Sequence, residues 1–238
     1  LTGLSGDGGH PVVTSGATAE WVEEGGAPTP GALTFASRPL VPATLTAAVP
    51  FSRRLALMAT PDVDALLEAD LAAALAAEID ATGLGVSADA DAAGVGIVAE
   101  LLAGNAETTF AAAAPTLAEV LALKAAVLAA NAPGPYSWVT SPAMAEALAQ
   151  TERAAGSGFI MDAGRIDGDP VRVTSAMPDG TLLYGGFDDM VVATFGPGVD
   201  LKIDRTTAAA SDGRVARAFT DVAFALRRPA SFALGVAP

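Results

Sequence analysis

The chain contains no cysteine. Disulfides, thiolate metal sites and cysteine nucleophiles are therefore excluded, although the compartment stays open. It has one histidine, His10, within a glycine-rich stretch. A Ser-His-Asp arrangement would have to use it, with Ser5 and Asp7 as neighbours, and a catalytic imidazole needs a scaffold to orient it. The plainer reading of His10 is an ordinary arm residue. Basic residues are scarce, 13 against 27 acidic ones, for a net charge of −14. Such a chain repels phosphate, and electrostatic binding to nucleic acid is not expected of it. Long apolar runs are also missing. The alanine-rich stretch 71–77 is bounded by Asp70 and Glu78, short of the ~20 apolar residues of a membrane helix. The start, LTGLSGDGGHP, has no basic region and does not read as a signal peptide. Its missing methionine points to trimming, processing or a longer parent chain.

What is present is a globular composition. Of 238 residues, 51% are hydrophobic and 17% charged, enough to bury a core. Residues 1–20 carry Gly3, Gly6, Gly8, Gly9, Pro11 and Gly16 and read as an extended arm with a short strand near Val12 and Val13. Pro28, Pro30, Pro39, Pro42 and Pro50 forbid a helix over the next segment. A long hairpin fits there, and a lone hairpin needs another surface to lie on.

Thr60 and Pro61 open the clearest helix as N-cap and first residue. Val63, Leu67, Leu71, Leu75 and Ile79 recur every four residues, and Gly83 and Gly85 are expected to stop it. That is about 22 residues, roughly 33 Å. A short apolar run follows at Ile97–Leu102. Pro115 and Thr116 open a second helix reaching about Ala130. YSWVTS reads as a buried strand, and Ser141 and Pro142 cap a third helix over 142–152. From residue 159 short strands alternate with turns. The fold class is α+β.

The search for chemistry finds little. Asp89, Asp91, Gly94 and Glu100 occupy positions of a calcium loop, but Ala93 supplies no oxygen where a ligand is required. Asp188 and Asp189 would point to opposite faces of a strand. No phosphate loop and no nucleophile elbow occurs. The sequence offers no active site, no cofactor site and no metal site.

Six segments, taken in order over residues 17 to 235, resemble the major capsid protein family of tailed bacteriophages, the Hong Kong 97 type. They are ATAEWVEEGGAPTPGALTFASRPLVPATLTAAVPFSRRL, DVDALLEADLAAALAAEIDATGLG, AAGVGIV, YSWVTSPAMAEALAQTERAAGSGFI, GRIDGDPVRVTSAMPDGTLLYGGFDDMVVATFG and VARAFTDVAFALRRPASFALG. The resemblance implies a Hong Kong 97-like capsid fold. In it 1–20 is an N-terminal arm and 21–55 an extended loop lying on a neighbouring subunit. Residues 56–138 start a peripheral domain with spine helix 61–82, 139–197 form an axial domain, and 198–238 return as closing strands. It further implies self-assembly into hexamers and pentamers of an icosahedral virion shell around double-stranded DNA, without catalysis. Assembly would take place in a bacterial host's cytoplasm, with a portal protein, a scaffold or maturation protease and a decoration protein as partners. An encapsulin-type nanocompartment and an unrelated acidic binding protein or enzyme stay open as alternatives.

Some members of that family lock their shells through a lysine–asparagine bond, with the lysine in the extended loop. Here the lysines are Lys124 and Lys202, outside 21–55, so no such lock is expected. Candidate inter-subunit contacts are Trp21, Glu23, Glu24, Phe35, Arg38, Arg53, Arg54, Arg227 and Arg228. Strand periodicity puts Arg228 on the face of Val222, Phe224 and Leu226, and Arg227 on the other. Each arginine meets an acid of its own subunit or one of a neighbour, such as Glu20, Glu23 or Glu24.

Overall fold

The structure is a computed structural model and describes residues 1–2, 4, 8–15, 20–22, 34–52, 54, 62–85, 96–104, 107–204, 206 and 213–238. In chain order its elements are β1 (Gly8–Ser15), β2 (Thr34–Leu40), β3 (Ala43–Ser52), α1 (Asp62–Leu84), α2 (Ile97–Ala103), β4 (Glu107–Thr109) and α3 (Leu117–Ala129). Then follow β5 (Ser137–Thr140), α4 (Pro142–Gln150), β6 (Met161–Asp162), β7 (Arg165–Ile166), β8 (Asp169–Val173), β9 (Thr181–Gly185), β10 (Met190–Asp204), β11 (Gly213–Leu226) and β12 (Phe232–Val236). They form a ribbon β1-β2, a three-stranded sheet β10-β11-β3, and a seven-stranded sheet β4-β12-β9-β5-β8-β7-β6.

The centre of the seven-stranded sheet, β12, β9 and β5, is buried on both faces, and the period of two explains how. Trp138, Leu182 and Tyr184 turn to one face, where α3 supplies Val120, Leu123 and Val127 and α4 supplies Met144 and Leu148. Val139, Leu183 and Leu234 turn to the other, against Ile97, Val98 and Leu101 of α2. The rings of Trp138 and Tyr184 lie 4.3 Å apart. The Tyr184 hydroxyl donates to Asp169 at 2.9 Å. Burial first, then this bond and the Asp169 charge, push the phenol well above its ordinary range.

The three-stranded sheet has a different cover. Leu45, Ala47, Val49 and Phe51 of β3 face α1, whose Leu71 and Leu75 are buried against Phe51, Ala216 and Ala218. Leu67, Leu71 and Leu75 of the expected four-residue stripe make this contact. Pro50 lies on β3, an edge strand, the place in a sheet where proline is tolerated.

Several expectations change. Among the described residues of segment 21–55, β2 pairs with β1, from the expected arm, and β3 pairs with β11. The arm is also tied down at its start. Leu1 and Leu4 run beside β10, with Thr194 N donating to Leu1 O and Leu4 N to Thr194 O. Helix α1 passes through Gly83, where an added Cβ would press on the Met190 methyl at 2.9 Å and the Phe224 ring at 3.0 Å. The short apolar run that begins at Ile97 is helical. Phe187–Asp189 form a 3-10 turn instead of a strand. Thr60 and Pro61, and the side chain of Val63, lie outside the described residues.

Helix α3 begins as its sequence predicts. Thr116 accepts from Glu119 N, and Glu119 accepts from Thr116 N at 2.8 Å and from Ala111 N at 2.8 Å, forming a capping box. The hydrogen bond from the Thr116 hydroxyl, then those from the Ala111 and Thr116 amides, hold the Glu119 carboxyl below its usual range. A depressed carboxyl stabilises the fold above its unfolded value, and that contribution is lost as pH falls through the folded value. Thr116→Ala is expected to cost about 1 kcal/mol, read as a lower urea midpoint, and to return Glu119 toward an ordinary carboxyl in a pH titration.

Candidate interaction surface

In the ribbon, Val12 of β1 and Leu40 of β2 are buried, whereas the start of β2 is not. Thr34, Phe35, Ala36 and Ser37 are all exposed. Two strands alone bury too little to be stable in water. Phe35 is 64% exposed and Trp21 entirely so. Single exposed apolar residues are ordinary, but an exposed tryptophan on a segment without a core has the character of an interface anchor.

The ribbon is held at its root. Arg38 donates to Glu100 of α2 at 2.8 Å, so this arginine meets an acid of its own chain. Arg228 does not meet an acid in the described contacts. It is half-buried, and its guanidinium reaches the Ala130 carbonyl at 3.4 Å, where α3 ends and a cation is favoured. Within the subunit, Arg228 thus makes a helix C-terminal contact. Arg227 is exposed, and its backbone N–H donates to Asp189 O at 2.8 Å. Arg54 is also exposed. Glu23, Glu24 and Arg53 lie outside the described residues.

The face argument for β11 changes in one respect. Val222, Phe224 and Leu226 are buried as expected, but so is Ala223 on the other side, packed with Leu40, Ala193 and Phe195. Small alanines let the ribbon root and the N-terminal residues approach this face.

A further surface went unnoticed in the sequence. Val199, Leu201 and Ile203 are 56%, 38% and 46% exposed, and they alternate with Asp200, Lys202 and Asp204. Leu201 and Ile203 line a shallow apolar notch with Leu67, Leu71 and Phe51. The alternation in VDLKID was the available signal, since a strand with one apolar face wants a cover.

Among the described residues, the candidates for chemistry do not converge. Asp189 is buried and accepts from the Ser231 hydroxyl, whereas Asp188 is exposed. Glu100 is engaged by Arg38, and Asp89, Asp91 and Gly94 lie outside the described residues. His10 lies in β1, opposite Arg38 in register. Among the described residues no three His, Asp or Glu side chains gather as a metal site. Both lysines are held by carboxylates: Lys124 by Asp167 at 2.7 Å and Asp169 at 2.9 Å, Lys202 by Asp200 at 2.8 Å. Burial lowers the Lys124 ammonium, but the bonds to Asp167 and Asp169 outweigh it and hold its pKa above the ordinary value.

Comparison with known proteins gives a consistent picture. A family model described as the phage capsid family matches residues 1–237. The chain is 28% identical over 235 residues to the major capsid protein of Halomonas phage phiHAP-1, covering 98% of this chain and 38% of that protein. The chain thus spans less than half the length of this curated relative. The solved structure titled Microbacterium phage Oxtober96 aligns with a TM-score of 0.78 at 15% identity, over 100% of this chain and 88% of its own. The capsid of an empty GTA particle aligns with a TM-score of 0.80 at 19% identity, over 100% of this chain and 86% of its own. At these identities the two structures share the fold with this chain.

Proposed function

This chain belongs to the phage capsid family, and from that premise we propose that it is a major capsid protein, a subunit that assembles with its own copies into an icosahedral shell. The observation that carries the reading is the ribbon: a pair of strands holding an exposed Phe35, with a wholly exposed Trp21 nearby in sequence. A neighbouring copy supplies the missing surface. The name of the Halomonas phage relative supports the same reading.

In this role β1-β2 is the extended loop, and the three-stranded sheet with α1 is the peripheral domain. The seven-stranded sheet with α2, α3 and α4 is the axial part, which on this grouping includes β4 and β12. The role is structural and not catalytic. Weak contacts multiply over many copies, and a charge of −14 per chain keeps the shell from adhering to enclosed DNA. Portal protein, scaffold or protease and decoration protein are the partners such a shell uses, assembled in a bacterial cytoplasm and carried in the virion.

Sedimentation of the purified full chain tests the reading: a fast, uniform boundary is expected, and a monomer at all concentrations would refute it. Denaturing electrophoresis of the same particles should give one band at the subunit mass. Lys124 and Lys202 lie outside the ribbon and are already bound by carboxylates. A ladder of multimers would contradict this.

A further inference from the structure

The ladder between β10 and β11 is interrupted between Phe195 and Asp200. There, on the face of β10 away from Leu201 and Ile203, a cleft of about 260 Å³ opens. The rings of Phe195 and Phe219 form part of its wall, and its charged groups are Asp200, Asp221 and Lys202. Lys202 Nζ stands 2.8 Å from the Asp200 carboxylate and 5.7 Å from the centre of the Phe219 ring. Thr44 donates to one oxygen of Asp221 at 2.5 Å. Two carboxylates against one ammonium leave the cleft net negative.

We propose that this cleft receives an arginine side chain from a second copy of the chain, as a specificity contact between subunits. The proposal rests on the shell reading above. Its volume falls below the ~300–1,000 Å³ of small-molecule pockets, which suits one side chain better than a metabolite. An aromatic face beside carboxylates is the chemistry that receives a cation. Lys202 already illustrates it from within the chain, yet its side chain is 66% exposed, so the seat can be exchanged.

Charge selects the occupant. Copies carrying −14 each repel one another, and an acidic cleft rejects most of a partner's surface while accepting its few cations. Both lysines are engaged by carboxylates, whereas Arg153 and Arg172 are exposed on the described surface. A guanidinium can also bond a carboxylate through two parallel hydrogen bonds while stacking on a ring, which an ammonium cannot.

The test uses signs that ordinary charge repulsion would reverse. In the full chain, Asp200→Asn with Asp221→Asn removes negative charge, so reduced repulsion alone would ease assembly. The cleft contact predicts the opposite: the protein concentration at which particles first sediment rises about tenfold. Lys202→Met adds net negative charge and should by repulsion hinder assembly. By vacating the Phe219 face it should instead lower that concentration. Urea midpoints equal to the parent's establish that the folds are intact, and if the double variant fails to fold, Asp200→Asn and Lys202→Met decide. Unchanged onsets, or shifts with the repulsion signs, overturn the proposal. A parent chain that never forms particles would overturn the shell reading instead.

Discussion

Gly96→Ala is expected to destabilise the protein by about 3 kcal/mol, at the upper end of what overpacking costs. Gly96 lies where the chain returns from α1 to start α2, at an ordinary φ of −64°. Backbone freedom is therefore not what it supplies. A Cβ there would stand 2.3 Å from Thr82 O and 2.7 Å from Gly85 O. Both are backbone atoms, so no rotamer change relieves the clash. The end of α1 and the start of α2 would have to separate, and Thr82, Gly83, Gly85, Ile97 and Val98 are all buried at that junction. Gly104→Ala is the control. Its φ is −81° and its nearest neighbour would be 3.4 Å away, so its effect should stay within ~0.5 kcal/mol. Urea midpoints of the two variants read the difference. A Gly96→Ala protein as stable as the parent would show that the two helices do not meet as described.

Trp21→Ser combined with Phe35→Ser should leave the subunit folded and abolish assembly. Both side chains are exposed, Trp21 completely, so the isolated subunit should lose no more than ~0.5 kcal/mol. In a shell the balance differs. An aromatic side chain buries roughly 150–250 Å², and at ~25 cal/mol per Å² that is an upper bound of about 4–6 kcal/mol per residue and contact. Repeated in every subunit, the loss leaves no particles at concentrations where the parent assembles. Circular dichroism and urea unfolding verify the fold, and sedimentation reads the assembly. Parent-like assembly by the double variant would remove the ribbon from the account.

Helices α1, α3 and α4 were legible because their signals are local, whereas the short α2 was not. Thr116, expected at the start of the second helix, is its N-cap, and Ser141 accepts from Met144 N at 3.3 Å as an N-cap. The four-residue spacing of Leu67, Leu71 and Leu75 placed α1 to within a few residues. The strand partners were not legible. That β2 joins β1 and β3 joins β11 follows from contacts between segments far apart in the chain, for which periodicity carries no address. Gly83 is a different case. A glycine near a helix end usually stops it, whereas here Phe224 and Met190 claim the space.

The candidate surface divides in the same way. The exposure of Trp21 and Phe35 could be expected from a proline-rich segment that cannot bury itself. The partners that the arginines meet within the subunit could not, because side-chain reach decides them: Arg38 turns back to Glu100, and Arg228 to the end of α3. The cleft beside Asp200 depends on an interrupted ladder, whose mark in the sequence is Gly196-Pro197-Gly198: both glycines take positive φ and the proline between them has no ladder donor.

Electron microscopy of the purified full chain tests the central claim most directly. The account predicts uniform closed particles with icosahedral symmetry, in which the β1-β2 ribbon of each subunit lies on a neighbour. Dispersed monomers, or irregular aggregates without symmetry, would contradict it.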